Sequence, residues 1–180
     1  ASKILGITER ENLKMQDCFF EPSEKNKKKI ISVIRKYQPK LIFANATNDR
    51  HPDHAKASSL VSEACFLSGL TKIKTEINGA VQLAWRPEAI YHYIQDYYIE
   101  PDFIVDISKH IDTKIKAIKA YKTQFYDPRS KDPETPISGE DFFEFIKARA
   151  KNFGRLIKTQ YAEGFTGEVP LKVEDVLKTI

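Results

Sequence analysis

The sequence predicts an α/β fold built on a mostly parallel sheet, and three observations carry that expectation. An apolar run without alternation, Leu41-Ile42-Phe43-Ala44, has the character of a strand covered on both faces, as strands of parallel sheets are. Amphipathic helical stretches stand before and after it, which is helix–strand–helix grammar. A polar stretch, Asn45-Ala46-Thr47-Asn48-Asp49-Arg50-His51-Pro52-Asp53-His54, joins the strand to the second helix. That junction, beyond the carboxyl end of a strand, is where α/β folds place their ligands.

Taken in order, Ser2 to Leu5 is expected to be a last helical turn stopped by Gly6, followed by an extended segment from Thr8 to Met15. Gln16 to Ser23 is a loop bearing Phe19 and Phe20. Ser23 caps a helix from Glu24 to Tyr37 whose Ile30, Ile31, Val33, Ile34 and Tyr37 form one stripe, and Pro39 ends it. Lys40 to Ala46 is the buried strand. Pro52, with no amide hydrogen to leave unpaired, opens the next helix. Leu60, Val61, Ala64, Cys65 and Leu67 to Leu70 are its core side, with Cys65 a packed small hydrophobe. Thr71 to Pro87 is a connection. Ala89 to Tyr98 is a strand with Ile90, His92 and Ile94 on one face and Tyr91, Tyr93 and Gln95 on the other. Asp102 to Ile107 is another strand, Ile111 to Phe125 a helix, and Asp127 to Ser138 a charged, proline-bearing loop. Gly139 to Lys158 is a further helix, and a short extended piece falls near Val169 to Val173.

The totals narrow the function. At 180 residues, with no dividing linker, the chain is expected to be a single domain spanning residues 1–180. No apolar run is long enough for a membrane span, and no signal peptide is visible. Two cysteines, Cys18 and Cys65, at no paired spacing point to a reducing compartment, the cytoplasm, and away from a cysteine zinc site. The net charge of +4 is mild, and the basic run Lys25 to Lys29 is expected to be a solvated helix face rather than a nucleic-acid contact. Gly-rich phosphate loops, HExxH helices and Gly-x-Ser-x-Gly turns are all missing.

The chemistry is therefore sought between Asn45 and His54. With Pro52 as first helical residue, His51 is the cap and His54 lies on the same first turn, so both rings can face the crevice. A neutral imidazole is a common zinc ligand. Asp49 and Asp53 are placed to orient the rings, and the Arg50 guanidinium is a fixed fork for a carboxylate or phosphate. His-x-x-His alone is a weak signal, and two histidines are too few for a tight zinc site. His92, alternating with isoleucines, is expected to be packed inside its strand, and His110 to cap or face solvent. Asp102 and Asp106 are expected to cap the next element or to reach the same crevice. Tyr91, Tyr93, Tyr97 and Tyr98 fit a packed sheet face or a subunit contact better than a sugar site.

Asp49-Arg50-His51-Pro52-Asp53-His54, followed by Leu60 to Leu70, resembles the LmbE/PIG-L zinc deacetylases, and within them the bacillithiol-biosynthesis branch in a Bacteroidetes-like form. Arg10-Glu11-Asn12-Leu13, Ile34-Arg35-Lys36-Tyr37-Gln38-Pro39, Tyr91-His92-Tyr93-Ile94-Gln95, Gln124-Phe125-Tyr126-Asp127-Pro128 and Tyr161-Ala162-Glu163-Gly164-Phe165 extend the resemblance over nearly the whole chain. It implies a Rossmann-like three-layer fold and the removal of acetyl from N-acetylglucosaminyl malate with Zn2+ as cofactor. It implies His54 as a zinc ligand, and His51 as the residue that steadies the oxyanion or protonates the leaving amine. It further implies Asp53 as the carboxylate that buttresses His51, and Arg50 and Arg86 as substrate-binding residues. A homo-oligomer, often a hexamer, is the implied assembly, with neither nucleic acid nor membrane as a partner.

The sequence departs from that family in one respect. The Ala-His-Pro-Asp-Asp motif, which brings two zinc ligands and the general base, is missing with its strand–helix–strand unit. One histidine ligand and one acid cannot both hold the metal and take the proton. Either the remaining ligands lie upstream of Ala1 or the chain is an inactive remnant; the helix end at Ala1 to Gly6 and the absent initiator methionine favour the first. Two alternatives stay open: a deacetylase of another N-acetylglucosaminyl conjugate, and a catalytically empty module.

Overall fold

The structure is a computed structural model that describes residues 1–122, 124–125, 133, 135–139 and 141–179. Most of the expected loop from Asp127 to Ser138 lies outside the described residues. The chain divides into two compact units, Ala1–Asn12 with Ile104–Gly164, and Leu13–Phe103 with Phe165–Ile180.

The second of these holds the histidine stretch. Its first helix, written α2 because the four-residue α1 (Ser2–Leu5) precedes it, spans Glu24–Tyr37. Ser23 accepts the Asn26 N–H at 3.3 Å as its cap. Gln38 closes it in the left-handed region at φ 48°, returning its N–H to Ile34. β1 (Leu41–Ala44) follows, then α3 (Pro52–Ser68), a small antiparallel pair β2 (Glu76–Ile77) and β3 (Ala80–Val81), and β4 (Ala89–Tyr93). Ile31 and Ile34 of α2 meet Ala64 and Cys65 of α3, and Ile42 and Ile90 bring β1 and β4 onto that core. Burial of this kind contributes roughly 1.5–3 kcal/mol per large side chain.

The other unit contains α1, α4 (Ile111–Lys119) and α5 (Phe142–Leu156). Ile111, Ile115, Ala117, Ala150, Phe153 and Ala162 are its buried hydrophobic side chains among the described residues. An ion pair joins Lys114 to Glu163.

A four-stranded sheet has the order β1-β4-β6-β5, with β5 Phe103–Asp106 and β6 Ala162–Gly167. β1 is parallel to β4, with Ala44 opposite His92, and β6 is antiparallel to β4. The Asp102 N–H bonds to Phe165 O and the Ile107 N–H to Tyr161 O, so β5 runs against β6. Three strands thus share one direction: the fold is α/β with a mixed, mostly parallel-leaning sheet.

Several details correct the sequence reading. β1 is not covered on both faces. It lies at the sheet edge, where Leu41 and Phe43 are 42% and 54% exposed while Ala44 is buried. The strand is also shorter than Lys40 to Ala46, and the one from Ala89 stops at Tyr93 rather than Tyr98. α4 ends at Lys119 instead of Phe125. The connection from Thr71 to Pro87 contains a hairpin whose turn is Asn78-Gly79, at φ 51° and 79°, a pair of left-handed residues suited to a two-residue turn. The last strand is Ala162–Gly167 rather than Val169 to Val173. Gly164 and Gly167 weaken its local strand propensity, and pairing with β4 supplies what propensity does not. No helix among the described residues is long and apolar enough to cross a membrane.

Candidate active site

β1 ends at Ala44 and α3 starts at Pro52, so the polar stretch spans a strand end and a helix start. His51 is the N-cap of α3, in extended backbone at φ −86° and ψ 123°. Its Nδ1 accepts the Asp53 N–H at 3.2 Å, the task that a serine or aspartate oxygen usually performs at a cap. His54, three residues on, places its Nδ1 2.6 Å from Asp49 Oδ2. The Asp49 side chain is fully shielded from solvent, and its Oδ1 accepts the backbone N–H groups of Arg50, Asp96 and Tyr97 at 2.7, 3.2 and 3.4 Å. Burial pushes the Asp49 carboxyl up, but His54 and the Arg50 and Tyr97 N–H groups outweigh it, so the net shift is downward.

Both rings therefore spend Nδ1 on the fold. Their centroids lie 5.2 Å apart. No hydrogen bond among the described residues occupies His54 Nε2, and the neighbour of His51 Nε2 is Cys18 Sγ at 4.0 Å. An imidazole anchored at one nitrogen by a carboxylate, with the other open, has the donor character of a metal ligand or of a proton carrier.

Asp53 is buried, and its carboxylate is turned to other partners than His51. Its Oδ2 accepts the Cys18 N–H at 2.7 Å, and its Oδ1 forms an ion pair with Lys56 Nζ at 3.0 Å. What reaches the His51 ring is the Asp53 backbone N–H. Burial raises the Asp53 carboxyl, and Lys56, the Cys18 N–H and the field of His51 together bring it below its ordinary value. Arg50 pairs through Nε with Asp96 Oδ2 at 3.1 Å, half-exposed, which leaves the far edge of its guanidinium for a ligand.

Arg86 is not part of this cluster. It donates to Phe66 O at 2.9 Å, lies over the Phe66 ring at 4.5 Å, and packs against Gly69, at the opposite end of α3. A helix of 17 residues separates the two ends by about 25 Å. Asp106 caps locally, accepting from Ser108, and Asp102 accepts the Gly167 N–H at 2.8 Å. Tyr91 packs edge-on to Phe103 at 4.7 Å, as expected for a packed sheet face.

Residues that sequence reasoning did not place here are Cys18, Lys56, Asp96 and Tyr97. Cys18 reaches the site from a loop, held at φ 62° in the left-handed region, and nothing in its local sequence signals that position. Among the described residues, the side chains with metal-ligand spacing are Asp17, Cys18 and Asp53, whose donor atoms lie within 4.8 Å of one another. Neither histidine belongs to that group. The donor chemistry of His54 suits zinc or a similar ion, but the described residues bring only part of a ligand set to it.

Residues 1–65 match the family model described as PIG-L, GlcNAc-PI de-N-acetylase. The diacetylchitobiose deacetylase of Thermococcus kodakarensis is 25% identical over 172 residues, 91% of this chain and 58% of the relative, so the chain spans little more than half of that protein. The conserved protein TT1542 of Thermus thermophilus is similar at 30% identity and a TM-score of 0.83, over 97% of this chain and 72% of its own. The N,N'-diacetylchitobiose deacetylase from Pyrococcus horikoshii, solved with an inhibitor, shares the fold at a TM-score of 0.73 and 24% identity, over 99% of this chain and 65% of its own. The histidine pair at the start of α3 falls within residues 1–65, the stretch that matches the PIG-L family model.

Proposed function

We propose that the chain is part of a metal-dependent N-deacetylase of the bacillithiol pathway, acting in the cytoplasm on N-acetylglucosaminyl malate. The observation that carries this reading is the pair His51 and His54, each anchored through Nδ1 and with His54 open at Nε2, in the stretch that matches a de-N-acetylase family model. The relatives named for diacetylchitobiose act on an acetylated amino sugar, which supports the same substrate class.

His54 would hold zinc through Nε2, with the other ligands supplied from outside these 180 residues. Zinc, when bound, supplies polarisation of the amide carbonyl. The base that takes the proton of the attacking water would come, like the other ligands, from outside these 180 residues, and the chain's own residues orient the substrate and supply the second proton. His51, capped onto α3, holds a proton at Nε2 and delivers it to the departing amine. Asp49 fixes the His54 ring so that its Nε2 does not swing. Arg50, braced by Asp96, presents its guanidinium to the malate carboxylate.

Acetate release from N-acetylglucosaminyl malate, N-acetylglucosamine and diacetylchitobiose, measured on the protein that carries the remaining ligands as well as these 180 residues, tests the reading. A charge-assisted contact from Arg50 is worth about 1.5–3 kcal/mol, or roughly 10- to 100-fold in kcat/KM for the malate conjugate. Arg50→Gln should remove that preference. A preference for diacetylchitobiose would move the assignment to another conjugate, and no acetate from any of the three would point to a catalytically empty module.

A further inference from the structure

His92 is a buried polar residue that the proposed chemistry does not use, at 4% exposure in the middle of the sheet. Its ring touches three segments at once. Nδ1 lies 2.9 Å from the Asn45 carbonyl and 2.8 Å from Ser58 Oγ, and Nε2 lies 3.0 Å from Glu168 Oε1. A carboxylate oxygen accepts, so Nε2 is the donor to Glu168. The Asn45 carbonyl likewise only accepts, so the hold on it is a donation from Nδ1, and the Ser58 hydroxyl lies against the same nitrogen. Ser58 is 3% exposed, so no substrate reaches its oxygen, which removes a nucleophilic reading of this serine–histidine–glutamate chain.

The two groups on Nδ1 matter for what they are attached to. Asn45 is the first residue past β1 and opens the loop that carries Asp49, the residue that holds the His54 ring. Ser58 lies one helical turn beyond His54 on α3. The two arms that position His54, its partner's loop and its own helix, are thus tied to a single imidazole.

We propose that His92 is a positioning residue of the histidine site, setting the relation of Asp49 to His54 through Asn45 and Ser58, with Glu168 locking its ring. This rests on the role given to His54 above.

Ring proton and nitrogen NMR of the 180-residue chain tests it without any turnover. The 2.6 Å contact between His54 and Asp49 should give a low-field Nδ1–H signal, assigned by its loss in Asp49→Asn. In His92→Phe, which fills the volume but offers no ring nitrogen, that signal should be lost or broadened while the dispersion of the amide spectrum persists. His92→Asn should restore it, because its amide nitrogen can donate to the Asn45 carbonyl from nearly the position of Nδ1. Should His92→Phe fail to fold, Ser58→Ala removes one arm and should shift the same signal. An unchanged His54 signal in folded His92→Phe, or in Ser58→Ala, overturns the proposal. If the wild type shows no Asp49-dependent signal, the described hold on His54 is itself wrong, and the proposal falls with it for that separate reason.

Discussion

The two ends of α3 both bury charged groups, and they treat them in opposite ways. At the C-terminal end Arg35 is 4% exposed and its donors go to Ser68 O at 3.0 Å, Leu70 O at 2.9 Å, Ile73 O at 2.7 Å and Thr75 Oγ1 at 2.9 Å. That guanidinium stitches the residues after the helix to α2, and burial lowers its pKa. At the N-terminal end Asp49 is equally well satisfied, but the two histidines commit Nδ1 to the fold; His54 Nε2 takes no hydrogen bond among the described residues, and His51 Nε2 meets Cys18 Sγ at 4.0 Å. A buried polar group with every valence used is architecture, and one with a valence left over at a helix start is equipment for chemistry.

Substitutions should separate the ends in order of size. Arg35→Met leaves three backbone carbonyls without their buried donor and is expected to cost about 3–5 kcal/mol, read as a lower midpoint in urea with an unchanged slope. A loss under about 1 kcal/mol would show that the stitching is dispensable. Asp49→Asn is expected to cost about 1–3 kcal/mol at neutral pH. Because the folded pKa of Asp49 is lowered, its contribution is fully present above the ordinary carboxylate range and disappears as pH falls through the lowered value. The gap between wild type and Asp49→Asn should therefore close in acid, and a gap that widens there would contradict the sign. Arg86→Ala, at the structural end and exposed, should change stability by less than about 1 kcal/mol and leave turnover as it was. A large fall in kcat/KM would return Arg86 to the substrate site.

The sequence made the site's neighbourhood legible because local signals coincide there. Ser23 and Pro39 bracket α2, Pro52 opens α3, and the apolar run before Asn45 marks β1. Contacts made over long sequence separation were not legible. Cys18 reaches His51 across 33 residues and Asp96 reaches Arg50 across 46, and no periodicity encodes either. The family resemblance implies Arg86 as a substrate-binding residue, yet it packs on Phe66 and Gly69 at the other end of α3, and no local signal tells which end of a helix a returning segment meets. The Asn78-Gly79 turn carried the strongest short hairpin signal in the chain, but its flanking strands are too short to show alternation. His92 fitted a packed strand position by pattern, and it is buried as expected. Its partners Asn45, Ser58 and Glu168 are visible only once the strands are paired.

The central claim is that His51 and His54 have different duties at one site. Metal content and acetate release, measured together on the wild type, His54→Ala and His51→Ala of the protein that carries the remaining ligands, test it most directly. The account predicts that His54→Ala loses bound zinc and turnover together, while His51→Ala keeps its zinc and loses kcat. A His54→Ala protein that retains one zinc per chain and releases acetate at the wild-type rate would contradict it.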